Sequence, residues 1–401
     1  GDVKFSIAGS SAPYTLFASI GMNDLGSGYS AENEVYRSTN FGDSWTMISN
    51  SNHASYQSWY SHVVTPYPGS TSKLFMAGVG KYVLTISGST GTRTSIGGGA
   101  ASSSYLLPGA QEGTNYLHAD VHDVKFLPGS STTAFFATDG GIFKTTNAGA
   151  ATISSINFVS CNGGLQIQQF YPTVAQSKSG TTVVGGLQDN NVIRYNGTGW
   201  AKVLGGDGGP CMFKPDNENI MLGSSDTRGV YASTNNGASL GTNVLAYLGS
   251  ITTPYDNRTS FMAPIGVSPA NPNRWYVASD NLHVSTFNTG TNTFGTFSNN
   301  NGSGIPLTNY IDALHKPAVS IGVSDLNANK LYISTSPFAQ DISNDNVHYN
   351  PPARIRKSTD GGSTFTTVSS TLPDRFVTDF AISKTNDDSV FVTLSGFGTT
   401  H

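Results

Sequence analysis

A strand–turn–strand pattern recurs eight times along this chain of 401 residues, and it constrains the fold more than any other feature. In each copy a short alternating strand leads to a turn rich in Pro, Asn, Asp, Gly or Ser, and a second apolar strand follows. The second strands begin near residues 16, 74, 134, 183, 220, 275, 331 and 390. A repeat of about 37 to 60 residues suits four-stranded blades with loops of variable length. We therefore predict an all-β fold, a β-propeller of about eight blades, with seven blades as the alternative.

The two ends of the chain bear on how many domains we expect. The chain starts directly on a first strand, and the eighth copy stops soon after its second strand, near residue 396. We therefore expect residues 1–401 to form a single β-propeller domain whose last blade is incomplete. We also expect the chain to be a fragment of a longer one.

A polar turn follows the strand pairs in several copies and reads Ser-x-Asp/Asn-x-Gly-x-Ser/Thr-aromatic. Full matches lie at residues 38–45 and 358–365, a close copy at 233–240, and degenerate copies at 145–152 and 285–294. The Asp or Asn side chain can accept from nearby backbone N–H groups, and Gly supplies the positive φ. We predict that the terminal aromatic packs between sheets. The residues assigned this structural role are Ser38, Asn40, Gly42, Trp45, Ser233, Asn235, Gly237, Ser358, Asp360, Gly362 and Phe365.

With these turns the chain resembles the Asp-box (BNR-repeat) β-propellers, a group that includes sialidases, xyloglucan-cleaving glycoside hydrolases and sortilin-type receptors. More narrowly, it is similar to bacterial secreted propellers described as glycosyl-hydrolase-like. The segments that carry this narrower likeness are residues 118–126, 138–144, 162–171, 186–191 and 205–209. The resemblance implies a secreted or cell-surface protein with a carbohydrate or an extracellular protein as its partner.

Polar residues cluster before and after the inner strands, where blades of a propeller meet the central channel. We predict a ligand site at the channel mouth, formed by His118, Asp120, His122, Asp123, Asp139, Gln188, Asp189 and Asp207. An acid also follows the second strand of five copies, at Asp24, Asp139, Asp189, Asp226 and Asp280. Turn capping and a hydrogen-bonded loop that fixes the geometry between blades remain alternatives for these residues.

The sequence leaves catalysis open. Glycoside hydrolysis generally needs two carboxylates at a defined separation, which sequence does not give. With 21 Lys and Arg and no arginine triad, a sialidase is not expected, and no catalytic residue is assigned. Some aromatic residues are candidate platforms for sugar rings, and Trp275, which lies in a strand, is expected in the core. The candidates are Trp59, Tyr60, Tyr67, Tyr105, Tyr116, Tyr171, Tyr255 and Trp275.

These features favour an extracellular module that binds or processes glycans, and the alternative is a non-catalytic scaffold that contacts proteins through loops 91–115 and 337–353. The net charge is −4 without any Lys/Arg cluster, which argues against nucleic acid, and no apolar run is long enough to cross a membrane. We expect no cofactor and no metal, with a structural cation such as calcium as the alternative. Cys161 and Cys211 either pair or remain thiols.

Overall fold

The computed structural model describes the chain in two compact units, Gly1–Ile167 and Gln168–His401, which are treated separately below. The expectation of a single domain therefore stays a prediction. The structure describes residues 2–9, 12–21, 33–54, 57–96, 116–165, 168–225, 229–244, 261–279, 282–299, 318–336, 339–340, 348–349, 354–369, 371–373 and 375–396.

The first unit consists of three antiparallel four-stranded sheets, here called modules 1, 2 and 3. In modules 1 and 2 the strands pair in chain order, and module 3 has the order β12-β11-β10-β9, which is the same path reversed. The strands are β1 (Asp2–Ala8), β2 (Thr15–Gly21), β3 (Asn33–Ser38), β4 (Thr46–Ser49), β5 (Val63–Pro66), β6 (Lys73–Ala77), β7 (Lys81–Ser87), β8 (Thr90–Ser95), β9 (Val121–Phe126), β10 (Ala134–Thr138), β11 (Gly141–Thr145) and β12 (Val159–Ser160).

The second unit holds modules 4 to 8. Modules 4 and 5 have four strands each, module 6 has five, module 7 has four and module 8 has two among the described residues. The strands are β13 (Ala175–Gln176), β14 (Val183–Gly186), β15 (Val192–Tyr195), β16 (Trp200–Leu204), β17 (Gly208–Lys214), β18 (Asn217–Ser225), β19 (Val230–Ser233), β20 (Thr242–Asn243), β21 (Ile265–Ser268), β22 (Asn271–Ala278), β23 (Leu282–Asn288), β24 (Thr293–Phe294), β25 (Ser298–Asn299), β26 (Ala318–Val323), β27 (Leu331–Thr335), β28 (Ala339–Gln340), β29 (His348–Tyr349), β30 (Arg354–Ser358), β31 (Thr366–Thr367), β32 (Val377–Ile382) and β33 (Val390–Leu394).

The prediction of an all-β propeller of about eight blades is confirmed. Each second strand predicted from the repeat is present, from β2 in module 1 to β33 in module 8. The helical conformation among the described residues is limited to 3₁₀ turns, at Ile153–Ser155 and at Gln57. No helix in the described part of the chain is long and apolar enough to cross a membrane.

Apolar side chains fill the space between successive sheets within each unit. In the first unit one cluster lies between modules 1 and 2, around Phe17 and Leu74, and another lies between modules 2 and 3, around Phe75 and Phe136. In the second unit four further clusters join module 4 to 5, 5 to 6, 6 to 7 and 7 to 8. Trp275 is fully buried in one of these clusters, as expected. Each sheet is therefore stabilised by its neighbours, as in other repeat proteins.

The polar turns adopt one hydrogen-bonding pattern in their best copies. Ser38 Oγ donates to Asn40 Oδ1 at 2.9 Å and accepts from the backbone N–H of Gly42 at 3.0 Å. Ser233 and Ser358 make the equivalent pairs of bonds, at 2.8 and 3.0 Å and at 2.8 and 2.8 Å. Each turn glycine has a positive φ, which explains why glycine occupies this position.

Two parts of the turn prediction differ in the structure. Within the first unit, Trp45 does not pack between sheets: its indole Nε1 donates to the carbonyl of Gly42 in its own turn at 3.0 Å, and its ring centroid lies 6.1 Å from that of Phe5 in the same sheet. Ser285 donates to the carbonyl of Gly295 at 2.7 Å instead of to a turn side chain, so the copy at 285–294 is not a turn of this type. Phe365, by contrast, is half-buried against the cluster between modules 6 and 7.

Several sequence predictions fall partly or wholly outside the described residues. These are Asp24, Tyr105, Asp226, Tyr255, Asp280 and most of the loops 91–115 and 337–353. The cysteine alternatives are resolved in favour of thiols, because both residues are free, with Cys161 exposed and Cys211 buried. Burial raises the pKa of the Cys211 thiol to about 12, so it stays protonated at neutral pH.

Candidate functional site

Asp139 follows β10 in a turn that the surrounding residues hold tightly. Thr138 Oγ1 donates to the carbonyl of Gly141 at 3.0 Å, and the N–H of Gly140 donates back to that hydroxyl at 3.1 Å. Asn162 clamps the same turn, since its Oδ1 accepts from Ile142 N–H and its Nδ2 donates to the Gly140 carbonyl, both at 2.8 Å. The turn therefore positions Asp139 rigidly.

Asp139 accepts two hydrogen bonds through Oδ1 from residues on other segments. His122 Nε2 donates to it at 2.6 Å, and the hydroxyl of Tyr60 donates at 3.0 Å. The Tyr60 and His122 rings meet edge to face with centroids 4.8 Å apart. The Asp139 side chain is only 12% exposed, so these three side chains form a compact polar group at the end of β10.

A β-bulge directs His122 toward Asp139. In the pairing of β9 with β10, Asp123 faces Ala137 and Val121 faces Thr138, which leaves His122 as the extra residue. Such a bulge bends the strand and re-aims one side chain. Asp123 lies elsewhere, because its carboxylate contacts Lys125 Nζ at 2.9 Å and is half-exposed.

Trp59 and Tyr60 form an exposed aromatic ledge beside this group. They lie in the segment between β4 and β5, and their side chains are 60% and 43% exposed. Their ring centroids are 5.5 Å apart and the planes are tilted by 46°. Tyr67, another candidate platform, is buried in the cluster between modules 2 and 3 and contributes to the core.

Asp120 is the least solvated acid near Asp139. It is 6% exposed, its backbone has a φ of 56°, and its Oδ1 has no hydrogen-bond partner among the described residues. A carboxylate oxygen of Asp120 lies within 4.8 Å of one of Asp139. Burial raises the pKa of the Asp120 carboxyl, and the charge of Asp139 raises it further. Positive charge on His118, His122 and Lys81 acts in the opposite direction without cancelling these effects.

His118 has a packing role in the structure. Its ring is buried, its Nδ1 lies 2.9 Å from the carbonyl oxygen of Ala119, and it meets Tyr116 edge to face. A side chain at Gly140 would collide with this ring, so Gly140 is required where the Asp139 turn approaches His118. His118 therefore packs against the turn that carries Asp139.

In the second unit, the predicted residues Gln188, Asp189 and Asp207 come together between modules 4 and 5. Asp207 Oδ1 accepts from the backbone N–H of Asp189 at 2.6 Å, and the Tyr171 hydroxyl donates to Gln188 Oε1 at 2.5 Å. The aromatic ring of Phe261, which is exposed, lies with its centroid 6.2 Å from that of Tyr171. Burial and the charges of Asp207 and Asp189 raise the pKa of Tyr171 to about 12, so its hydroxyl remains a donor.

Glycines allow the backbone in this second group to approach closely. A side chain at Gly186 would collide with the backbone of Gly209, and one at Gly208 would collide with the backbone of Asn191. These close contacts explain the Gly-rich segments at 186–191 and 205–209. The close approach of the two segments places Asp207 next to the turn that carries Asp189. Phe261 was not identified from the sequence, since no motif surrounds it.

A Ser–His–Asp arrangement in module 1 does not form a catalytic site. Ser19 Oγ lies 2.9 Å from His62 Nδ1, and His62 Nε2 lies 3.6 Å from Asp2 Oδ2. Both Ser19 and His62 are fully buried, so a substrate cannot reach the hydroxyl. Burial also lowers the pKa of His62, which keeps its ring neutral.

Two solved structures to which this chain is similar are distant from it in sequence. No protein-family model and no curated protein sequence match the chain. It aligns with a GH74 xyloglucanase from Xanthomonas campestris at 12% identity and a TM-score of 0.32, over 88% of this chain and 52% of that one. It also aligns with a chain of the mitotic checkpoint complex at 9% identity and a TM-score of 0.36, over 84% and 87%. This chain thus spans about half the length of the xyloglucanase, and neither similarity bears on its activity.

Proposed function

We propose that this chain is a carbohydrate-binding propeller module, and that its sugar site is the Trp59–Tyr60 ledge with Asp139. The observation that carries the proposal is an exposed pair of aromatic rings joined by a hydrogen bond to a fixed carboxylate, Tyr60 Oη to Asp139 Oδ1 at 3.0 Å. Aromatic rings offer apolar faces to sugar rings, and convergent polar groups orient the hydroxyls.

The geometry favours binding over hydrolysis. A glycoside hydrolase needs two carboxyl groups that flank the scissile bond, about 5–5.5 Å apart in retaining enzymes or 6.5–9.5 Å apart in inverting ones. Asp120 and Asp139 are close to each other, but both are largely buried, so a glycosidic bond has no room between them. The proposed activity is therefore recognition without turnover.

The second unit supports the same class of ligand. Tyr171 and the exposed ring of Phe261 lie beside Gln188, whose side chain is exposed and can present its amide N–H to a hydroxyl oxygen. An aromatic surface bordered by an amide is suited to sugars for the same reason as the ledge in the first unit. We propose it as a separate carbohydrate contact within the second unit.

Membership of the Asp-box propellers and an extracellular location are parts of this proposal. The membership is supported by the shared hydrogen-bond pattern at Ser38, Ser233 and Ser358, which recurs at the same point in three modules, and the proposed location rests on that membership. Thr145 and Asn147 make a partial version of it in module 3.

Binding to a glycan array and to a panel of polysaccharides tests the proposal. We expect wild type to bind, and Trp59→Ala to weaken binding roughly tenfold, which corresponds to about 1.4 kcal/mol. Trp45→Ala is the matched control, because Trp45 is also exposed but packs on its own turn, and we expect it to bind as wild type does. The same panel is assayed for released reducing ends, and release that Asp139→Asn abolishes would overturn the claim of binding without turnover.

A second candidate function, a protein-interaction module, is favoured by one surface. Val3, Phe5 and Ile7 alternate along β1 and are all exposed, so one face of that strand presents an apolar strip. This function would be established instead if the wild-type chain binds no glycan but retains a protein partner. The Phe5→Ser, Ile7→Ser double variant should then lose that partner.

A further inference from the structure

We propose that Asp120 and Asp139 hold a divalent cation, with calcium as the ion that fits best. The site lies in the first unit, where Asp120 precedes β9 and Asp139 follows β10, so neighbouring strands bring the two acids together. This inference goes beyond the proposed carbohydrate binding and does not depend on it.

The two carboxylates lie close enough together that, when both are ionised, their charges repel. An oxygen of Asp120 lies within 4.8 Å of an oxygen of Asp139, and both side chains are largely buried. Two like charges repel strongly at this distance away from water, and burying an unpaired carboxylate is costly. A cation between them removes the repulsion and replaces the lost hydration.

An independent observation points to a ligand in this place. Asp120 Oδ1 is buried and has no hydrogen-bond partner in the part of the chain that the structure describes. Buried polar atoms are nearly always paired, so an unpaired carboxylate oxygen indicates an ion, a proton or a water that completes it. Lys81 does not bond to Asp120 Oδ1, and its ammonium group donates to the carbonyl of Leu117 at 2.7 Å.

The chemistry of the donors selects a hard cation. Both groups are carboxylates, which Ca²⁺ prefers, and Ca²⁺ completes a flexible shell of six to eight oxygens with waters and carbonyls. His122 is not needed as a ligand, because its Nε2–H is already donated to Asp139 Oδ1. The sequence predicted no metal, with a structural cation such as calcium as the alternative, and this inference takes up that alternative.

Terbium luminescence provides a direct test, because Tb³⁺ substitutes for Ca²⁺ and is sensitised by nearby aromatic rings such as Tyr60. The full chain is stripped with a chelator and titrated with Tb³⁺, and Ca²⁺ is then added to displace it. We expect saturable luminescence that Ca²⁺ reverses, with an affinity for Ca²⁺ in the range of about 10⁻⁴–10⁻³ M that is typical of extracellular modules.

Asp120→Asn is the decisive variant, and Asp123→Asn is its matched control. Asn keeps the shape of Asp and tolerates the positive φ at position 120, but removes a ligand charge. We expect Asp120→Asn to weaken Tb³⁺ and Ca²⁺ binding about tenfold or more and to abolish the rise in thermal unfolding midpoint with Ca²⁺. Asp123→Asn, which alters an exposed acid paired with Lys125, should leave both unchanged.

Two outcomes would overturn the proposal. Wild type with neither saturable luminescence nor a Ca²⁺-dependent midpoint would mean that the two acids share a proton instead of an ion. Binding that persists at full strength in Asp120→Asn would place the ion elsewhere. Neither outcome would contradict carbohydrate binding by Trp59, which is measured in a separate experiment.

Discussion

His122 Nε2 donates to Asp139 Oδ1 at 2.6 Å, and this bond joins the bulge in β9 to the turn that follows β10. Tyr60 reaches the same oxygen from a segment 79 residues away in sequence. The aromatic ledge is thus tied to a carboxylate that the fold holds in place. The predictions below follow from these contacts and from the packing of the modules.

Replacing Asp139 should disturb both the ledge and the fold locally. Asp139→Asn retains an acceptor oxygen but loses the charge that strengthens the bonds from His122 and Tyr60. We expect a loss of about 1–2 kcal/mol in the free energy of unfolding and weaker glycan binding. Urea denaturation and glycan titration measure the two effects, and Asp123→Asn should show neither.

Replacing Asn162 should weaken ligand binding through the turn that carries Asp139, and not through a contact between Asn162 and the ledge. Asn162→Ala leaves Ile142 N–H and the Gly140 carbonyl without their partner, which we expect to cost about 1–2 kcal/mol of stability. The turn that carries Asp139 then loosens, and glycan affinity falls. Unchanged affinity in this variant would contradict a positioning role for Asn162.

The free energy of unfolding should fall as the pH drops from the ordinary histidine pKa to the lowered pKa of His53. Burial lowers the pKa of His53 to about 4, while its hydrogen bond with the Ser51 carbonyl acts in the opposite direction. The charge of Arg93, and that of His62 once its ring is protonated, lower the pKa further. The unfolded chain therefore binds the extra proton between the ordinary pKa and about 4, so acidification across this window removes up to about 3 kcal/mol. Urea unfolding of wild type and His53→Gln from neutral to acidic pH should show a smaller slope in the variant. Equal slopes would contradict the assignment.

The contact between modules 7 and 8 should depend on Asp387 more than on Asp388. Lys330 Nζ lies 2.7 Å from a carboxylate oxygen of each acid, but Asp387 also accepts from Ser324 Oγ at 2.8 Å and is better buried. We expect Asp387→Ala to lower the free energy of unfolding by about 2 kcal/mol, since it removes the better-buried partner of Lys330 and the acceptor of the Ser324 hydroxyl. Asp388→Ala, which alters an exposed acid, should have a clearly smaller effect. Limited proteolysis and urea denaturation compare the two.

The repeat made the modules predictable, because each copy must bury the same two apolar strands. Val124 and Ile321, for example, occupy equivalent positions in the first strands of modules 3 and 7, and the apolar periodicity around them is local in sequence. The serine turns were predictable for the same reason. The position of the Trp45 side chain was not predictable. It could pack on its own turn or on the neighbouring sheet, and the sequence does not show which of the two is favoured.

The candidate site was predictable in its members but not in its contacts. Asp139, His122 and Asp120 were identified from the density of polar residues, yet nothing in the sequence pairs Tyr60 with Asp139. The bulge that separates His122 from Asp123 depends on register with β10, and the left-handed backbone of Asp120 depends on the turn around it. Such features arise from tertiary structure and leave no local pattern.

Isothermal titration of wild type and Trp59→Ala with the best oligosaccharide from the array tests the central claim most directly. The claim predicts measurable binding by wild type and roughly tenfold weaker binding by Trp59→Ala at an unchanged unfolding midpoint, with Trp45→Ala equal to wild type. Equal affinity of wild type and Trp59→Ala, or no binding of any glycan by wild type, would contradict it.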